Sequence, residues 1–148
     1  MKLFSKPEGG WVDINIGDYI MCASYLTDVP MDFLNTLIAS LKYNIPICVY
    51  IDEEGFEDFL CVFGNMLTIS RMIEVSGEMK QVDFKFNRIN YNAFVREIIL
   101  GIEEYFDDWV NWNMNPDEDL KLRAKKIQEK LNEAKEIIQQ LKLSKRGL

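Results

Sequence analysis

The sequence contains no histidine among its 148 residues. That absence removes the side chain that most often serves as general base and most often binds a transition metal. A Cys-His or Ser-His nucleophile pair cannot be built from this chain alone. Cysteine is scarce: Cys22, Cys48 and Cys61 are widely separated, odd in number, and each lies in an apolar run. This usage predicts reduced thiols packed in the core of a protein kept in a reducing cytoplasm. No apolar run approaches the ~20 residues that cross a bilayer. The first ten residues carry Lys2 and Lys6 but no apolar stretch of the secretory kind. Glycine is sparse too, and Gly9-Gly10 leads into a strand pattern, so no loop of the phosphate-cradling type opens a helix.

What is present is acid and aromatic. The chain has 24 carboxylates, 17 lysines and arginines, and 18 Phe, Trp and Tyr. The charge is unevenly placed. Residues 1–119 hold 21 acids against 8 bases, a net of −13, whereas residues 120–148 hold 3 acids against 9 bases, a net of +6. Such a body repels nucleic acid and anionic membrane and steers a basic protein toward itself. The length and an apolar fraction of 48% fit one soluble domain spanning 1–148.

Periodicity sets out the elements. Val12, Ile14 and Ile16 alternate with polar neighbours, Gly17-Asp18 suits a two-residue turn, and Tyr19 to Tyr25 returns. Thr27, Asp28 and Pro30 open a helix whose stripe is Phe33, Leu34, Leu37, Ile38 and Leu41, with Thr27 or Asp28 expected to cap it. Asn44 and Pro46 end it. The continuous apolar run Ile47 to Ile51 predicts a central strand. Asp52-Glu53-Glu54-Gly55 is a turn, and Phe56 to Phe63 is the return strand. Leu67, Ile69, Ile73 and Val75 form another alternating strand, interrupted by Arg71 on its apolar face. Val82, Phe84 and Phe86 form the last strand, opposite Asp83, Lys85 and Asn87.

Asn90 caps a helix predicted to run from Tyr91 to about Trp112, with a seam of Tyr91, Val95, Ile98, Ile102, Tyr105, Trp109 and Trp112. Asn115-Pro116 starts a final helix with the seam Leu120, Ala124, Ile127, Leu131, Ala134, Ile138 and Leu141. The expected fold is α+β in the order ββαββββαα. An antiparallel sheet with one helix fills residues 11–89, and an antiparallel helical hairpin fills 90–143. The matched seams predict that the last two helices pack on each other. Three heptads are marginal for a homodimeric coil, so the expectation is a monomer or a weak homodimer.

Two acidic segments are candidate partner-binding sites. Between Glu97 and Asp119 the chain carries eight carboxylates and no base. One flank of that helix presents Glu97, Glu104 and Asp108, the other Glu103 and Asp107. Leu100 falls opposite the seam and Trp112 at its edge. Carboxylates around exposed apolar side chains suit a cationic protein; the alternative is a solvated helix face with Trp112 closing the end of the core. The second segment is the turn with Glu53, Glu54, Glu57 and Asp58. Its glycine comes too early for a calcium loop, so a hairpin turn is expected and no metal or cofactor. A pair of these many carboxylates as hydrolytic acid and base stays open, without a motif to mark it.

The stretch Ser24-Tyr25-Leu26-Thr27-Asp28-Val29-Pro30, then a helix, then a strand ending in Asp52-Glu53-Glu54-Gly55, resembles small bacterial immunity proteins of polymorphic-toxin and contact-dependent inhibition systems. The resemblance covers about residues 11–63 and carries no defined functional residues. It implies a non-enzymatic protein that binds and blocks one toxin. The acidic body is consistent with this, since toxin nucleases that take up phosphates are basic. The alternatives are a structural or adaptor subunit assembling through the C-terminal helices and, from the enzyme class, the hydrolase.

Overall fold

A computed structural model describes residues 2–112 and 117–146. Its elements are β1 (Trp11–Ile16), β2 (Tyr19–Ser24), α1 (Val29–Tyr43), β3 (Ile47–Asp52), β4 (Glu57–Phe63), β5 (Met66–Val75), β6 (Glu78–Arg88), α2 (Tyr91–Glu104), α3 (Phe106–Val110) and α4 (Leu120–Arg146). The class is α+β with antiparallel strands and C-terminal helices, in the order expected. The strands divide into a β1-β2 hairpin and a four-stranded sheet, β3-β4-β5-β6.

Gly17 takes a φ of +58° at the tip of the β1-β2 hairpin, a conformation glycine adopts without a Cβ penalty. Residues 3–5 extend this hairpin on its other side. The Asn15 N–H donates to the Leu3 carbonyl at 2.7 Å, and the Ser5 N–H to Asp13 at 2.9 Å. Leu3 and Phe4 are thereby buried. The Phe4 ring meets Phe33 edge-on at 5.1 Å and Trp109 at 5.4 Å, so the N-terminal segment joins α1 and α3 through one ring.

The four-stranded sheet buries one face only. Ile47, Val49, Ile51, Leu60, Val62, Leu67 and Ile69 point into the core with Phe33, Leu34 and Leu37 of α1. α1 lies against β3, and α4 lies against α1. β3 is an edge strand, not the central strand its apolar run suggests, and its alternate residues Cys48 and Tyr50 are exposed. The same alternation overturns the expectation of core cysteines: Cys22 and Cys48 are exposed and Cys61 is half-buried. A single β-strand cannot bury consecutive side chains when only one face is covered.

The helix from Asn90 begins as expected, with Asn90 Oδ1 accepting the Ala93 N–H at 2.9 Å. It does not continue to Trp112. The indole N–H of Trp109 donates to the Gly101 carbonyl at 3.2 Å. That is the oxygen an uninterrupted helix would give to the N–H of Tyr105, which turns to Glu103 instead. A side chain entering the helical ladder breaks it, and α3 starts after Tyr105. Gly101 is required here on space as well: a Cβ would stand 2.5 Å from Phe4 Cδ2.

Asp28 stands at the α1 N-cap position but makes no capping bond. Its carboxylate instead accepts both ends of the Arg123 guanidinium, at 2.8 and 3.0 Å. Asn115 and Pro116 lie outside the described residues. The α4 helix starts at Leu120, with Asp119 Oδ1 accepting the N–H groups of Lys121 and Leu122. α4 runs back along α3 and α2, with Arg123 at Trp109 and Lys135 paired to Glu103. Its seam mates mainly with α1, not α2: Ile127, Leu131 and Ala134 are buried, and Lys42 pairs with Glu133 at 2.8 Å.

Candidate functional site: an open aromatic sheet face

The uncovered side of the four-stranded sheet carries the side chains that alternate with the core positions. The register places them in rows. Cys48, Cys61, Thr68 and Phe86 share one row; Tyr50, Phe59, Ser70 and Phe84 the next; Asp52, Glu57, Met72 and Gln81 a third. Phe63, Met66 and Arg88 close one end, and Glu74 with Met79 extends the other. Phe84 and Phe86 are 53% and 54% exposed, and Tyr50, Phe59, Phe63 and Met66 are exposed as well. Tyr50 and Phe59 lie 5.3 Å apart between ring centroids.

This face is aromatic at its centre and acidic at one end. Asp52 and Glu57 adjoin Tyr50, whose phenol is pushed up to about 12, first by burial and then by these two carboxylates. Large contiguous apolar surface rimmed by polar groups is uncommon on a protein that works alone. Val82, Phe84 and Phe86 stand out in the sequence as the apolar side of an alternating strand. Asp83, Lys85 and Asn87 occupy the core-side positions of β6 instead, and β6 has no buried residue.

The acidic turn before β4 is divided by Arg71. Asp58 pairs with Arg71 in the β4-β5 register, is 0% exposed, and takes the guanidinium at 3.0 and 2.8 Å. Glu53 accepts from Arg71 at 2.9 Å and from the Cys22 N–H at 2.6 Å. Tyr19 and Phe56 stack over the guanidinium at 5.2 and 5.1 Å. Asp58 is therefore unavailable to a partner and Glu53 almost so, because one half-buried cation engages both. Glu54 remains exposed, and Glu57 belongs to the open face. The signal in the sequence was Arg71 itself, a charge at an apolar position of β5.

Two carboxylates share this one guanidinium. Burial, then the hydrogen bond to Asp58, pushes Glu53 up to about 7 against an ordinary 4.5. Between those values the folded chain keeps a proton that the unfolded chain has lost, so stability falls as pH rises across that window. Glu53→Gln should remove this slope while its amide oxygen still accepts from Cys22. Urea midpoints of both proteins at about pH 5 and about pH 8 isolate the difference from other titrating groups. Parallel pH profiles would show that Glu53 is ionised throughout.

The acidic helix flank is assembled differently from the expectation. Trp112 is 3% exposed, and its indole donates to the Thr27 carbonyl at 2.9 Å, so it closes the core and faces no partner. Glu104 is exposed but paired with Lys2 at 2.9 Å. Glu97 and Asp108 are half-buried, with Asp108 in a shallow dip beside Lys6 to Gly10. Leu100 is exposed and borders a groove between α2 and the end of α4, whose lining includes none of Glu97, Glu104 and Asp108. That groove encloses about 1330 Å³ and is lined by Ile45, Phe63, Tyr91, Ile99 and Ile138 among others.

Among the described residues no three Cys, Asp or Glu side chains converge as a metal site. No helix among them is long and apolar enough to cross a membrane. Compared with known proteins, the chain matches no family model, no curated protein and no solved structure.

Proposed function

We propose that this chain is a non-enzymatic binding protein that docks a basic protein on the open face of its four-stranded sheet. The observation that carries the reading is the group of exposed aromatics on this face, Tyr50, Phe59, Phe84 and Phe86, with Asp52 and Glu57 beside it. Aromatic side chains lose few rotamers on binding and bury large area, which is why they anchor interfaces. The carboxylates add steering and orientation toward a cationic surface. The net charge of −13 over residues 1–119 extends the same attraction to the whole body. An immunity protein that masks the basic cleft of a toxin domain has this combination, and the resemblance over residues 11–63 points the same way. The adaptor reading through α4 has less support, since Ile127, Leu131 and Ala134 of its seam are buried within the chain.

Protection tests it. If a neighbouring gene encodes a protein with a toxic C-terminal domain, that domain should be lethal when expressed alone and tolerated when this chain is co-expressed. The two should also form a one-to-one complex on size exclusion. Survival without a complex would mean indirect rescue, and lethality unaffected by the chain would remove the immunity reading.

A further inference from the structure

Cys48 and Cys61 face each other across the β3-β4 pair, and their Sγ atoms stand 2.8 Å apart. The backbone shows which kind of cross-strand pair this is. The Cys48 N–H donates to Thr36 Oγ1 on α1 at 2.9 Å, so it points away from β4. A residue whose N–H points away from the partner strand belongs to a non-hydrogen-bonded pair, in which facing Cα atoms lie about 4.5 Å apart and side chains come closest. A disulfide needs Cα atoms roughly 4.4–6.8 Å apart and a sulfur–sulfur bond of about 2.05 Å. The strands already hold the two residues at that spacing, and small side-chain rotations supply the rest.

We propose that Cys48 and Cys61 form a redox modification site, a cross-strand dithiol that a low-molecular-weight disulfide such as oxidised glutathione converts to an intramolecular disulfide. Cys48 is exposed and Cys61 half-buried, so the Cys48 thiolate attacks first. The reagent's sulfur–sulfur bond breaks, one half becomes bonded to Cys48, and the other leaves as a thiolate. The Cys61 thiolate then attacks the Cys48 sulfur and expels the second half. The two protein thiols give up two protons and two electrons, and the reagent takes up both to become two thiols. Burial, and after it the hydrogen bond to Cys48, pushes the Cys61 thiol up to about 12. That makes Cys61 a poor first attacker and leaves it the resolving role, where proximity offsets the scarcity of thiolate.

Cys22 is the contrast inside the same chain. It is exposed on β2, and the only other sulfhydryls in the sequence are engaged with each other. A lone thiol stops at the mixed disulfide.

The full-length chain is equilibrated with reduced and oxidised glutathione at a series of ratios, quenched with an alkylating agent and mapped by peptide mass. The expected product has Cys48 and Cys61 joined within one chain and glutathione retained only on Cys22. Cys61→Ser should trap glutathione on Cys48, and Cys48→Ser should slow modification of Cys61 at least ~10-fold, as expected for a high-pKa thiol without its partner. The oxidised chain should melt about 5 °C higher than the reduced one, a difference abolished by a reductant. A lasting glutathione adduct on Cys48 in the unsubstituted chain would overturn the proposal. So would two unmodified thiols at a ratio that already modifies Cys22.

Discussion

Arg123→Ala should destabilise the chain by about 3 kcal/mol, because it removes the bridge between the start of α1, α3 and α4. Arg123 is 4% exposed and makes four hydrogen bonds, two to the Asp28 carboxylate and two to the Trp109 carbonyl. Deleting it strips the Asp28 carboxylate of its counter-charge and removes both guanidinium donors from that carbonyl, which keeps only the Trp112 N–H at 3.2 Å, so most of the loss comes from the broken ion pair. Asp28 retains partial access to water, which limits the penalty on its side. Arg123→Lys keeps the charge but cannot present a fork to the carboxylate and the carbonyl together, so it should recover only part of the loss. Urea unfolding of the three proteins, read as a shift in midpoint at constant slope, measures both effects. A loss below about 1 kcal/mol for the alanine variant would mean that this bridge contributes no more than a surface pair.

The second large effect concerns binding. Phe84→Ala or Phe59→Ala should weaken a verified partner at least ~30-fold, equivalent to about 2 kcal/mol for a central anchor. Phe84 should change stability by less than about 0.5 kcal/mol, since more than half of its surface is already exposed. Glu57→Lys should act differently. Its loss should fall mainly on the association rate and shrink with added salt, because exposed charges are screened over ~10 Å at 0.1 M. The paired reversal Glu104→Lys and Asp108→Lys probes the helix flank and should matter little, with Glu104 already neutralised by Lys2. A strong loss there, with Phe84→Ala binding normally, would move the site to α2 and α3.

Two residues show how much of the site could be read in advance. Phe84 was visible as part of an alternating strand, but alternation marks two faces without saying which one is covered. Arg71 was visible as a charge on an apolar face. That it gathers Glu53, Asp58, Tyr19 and Phe56 depends on the β4-β5 register and on where the β1-β2 hairpin sits. The same limit applies to Trp112 and the cysteines. Trp112 at the seam edge fits either a partner face or the end of the core, the apolar runs around the cysteines fit burial, and what packs against each segment decided: Trp112 is buried, Cys22 and Cys48 are exposed and Cys61 is half-buried.

What the residue order determined alone was local. The strand and helix order, the Gly17-Asp18 turn, the Asn90 cap and the apolar stripe of α1 follow from backbone preference and from periods of 2 and 3.6, which act within a few residues. The break at Tyr105, the pairing of Asp28 with Arg123, and the choice of α1 over α2 as the main neighbour of α4 were decided only by tertiary structure. Each joins groups distant in sequence or redirects a hydrogen bond by packing. The uncovered aromatic face belongs with these, because α1 and the β1-β2 hairpin supply cover for one side of the sheet and none for the other.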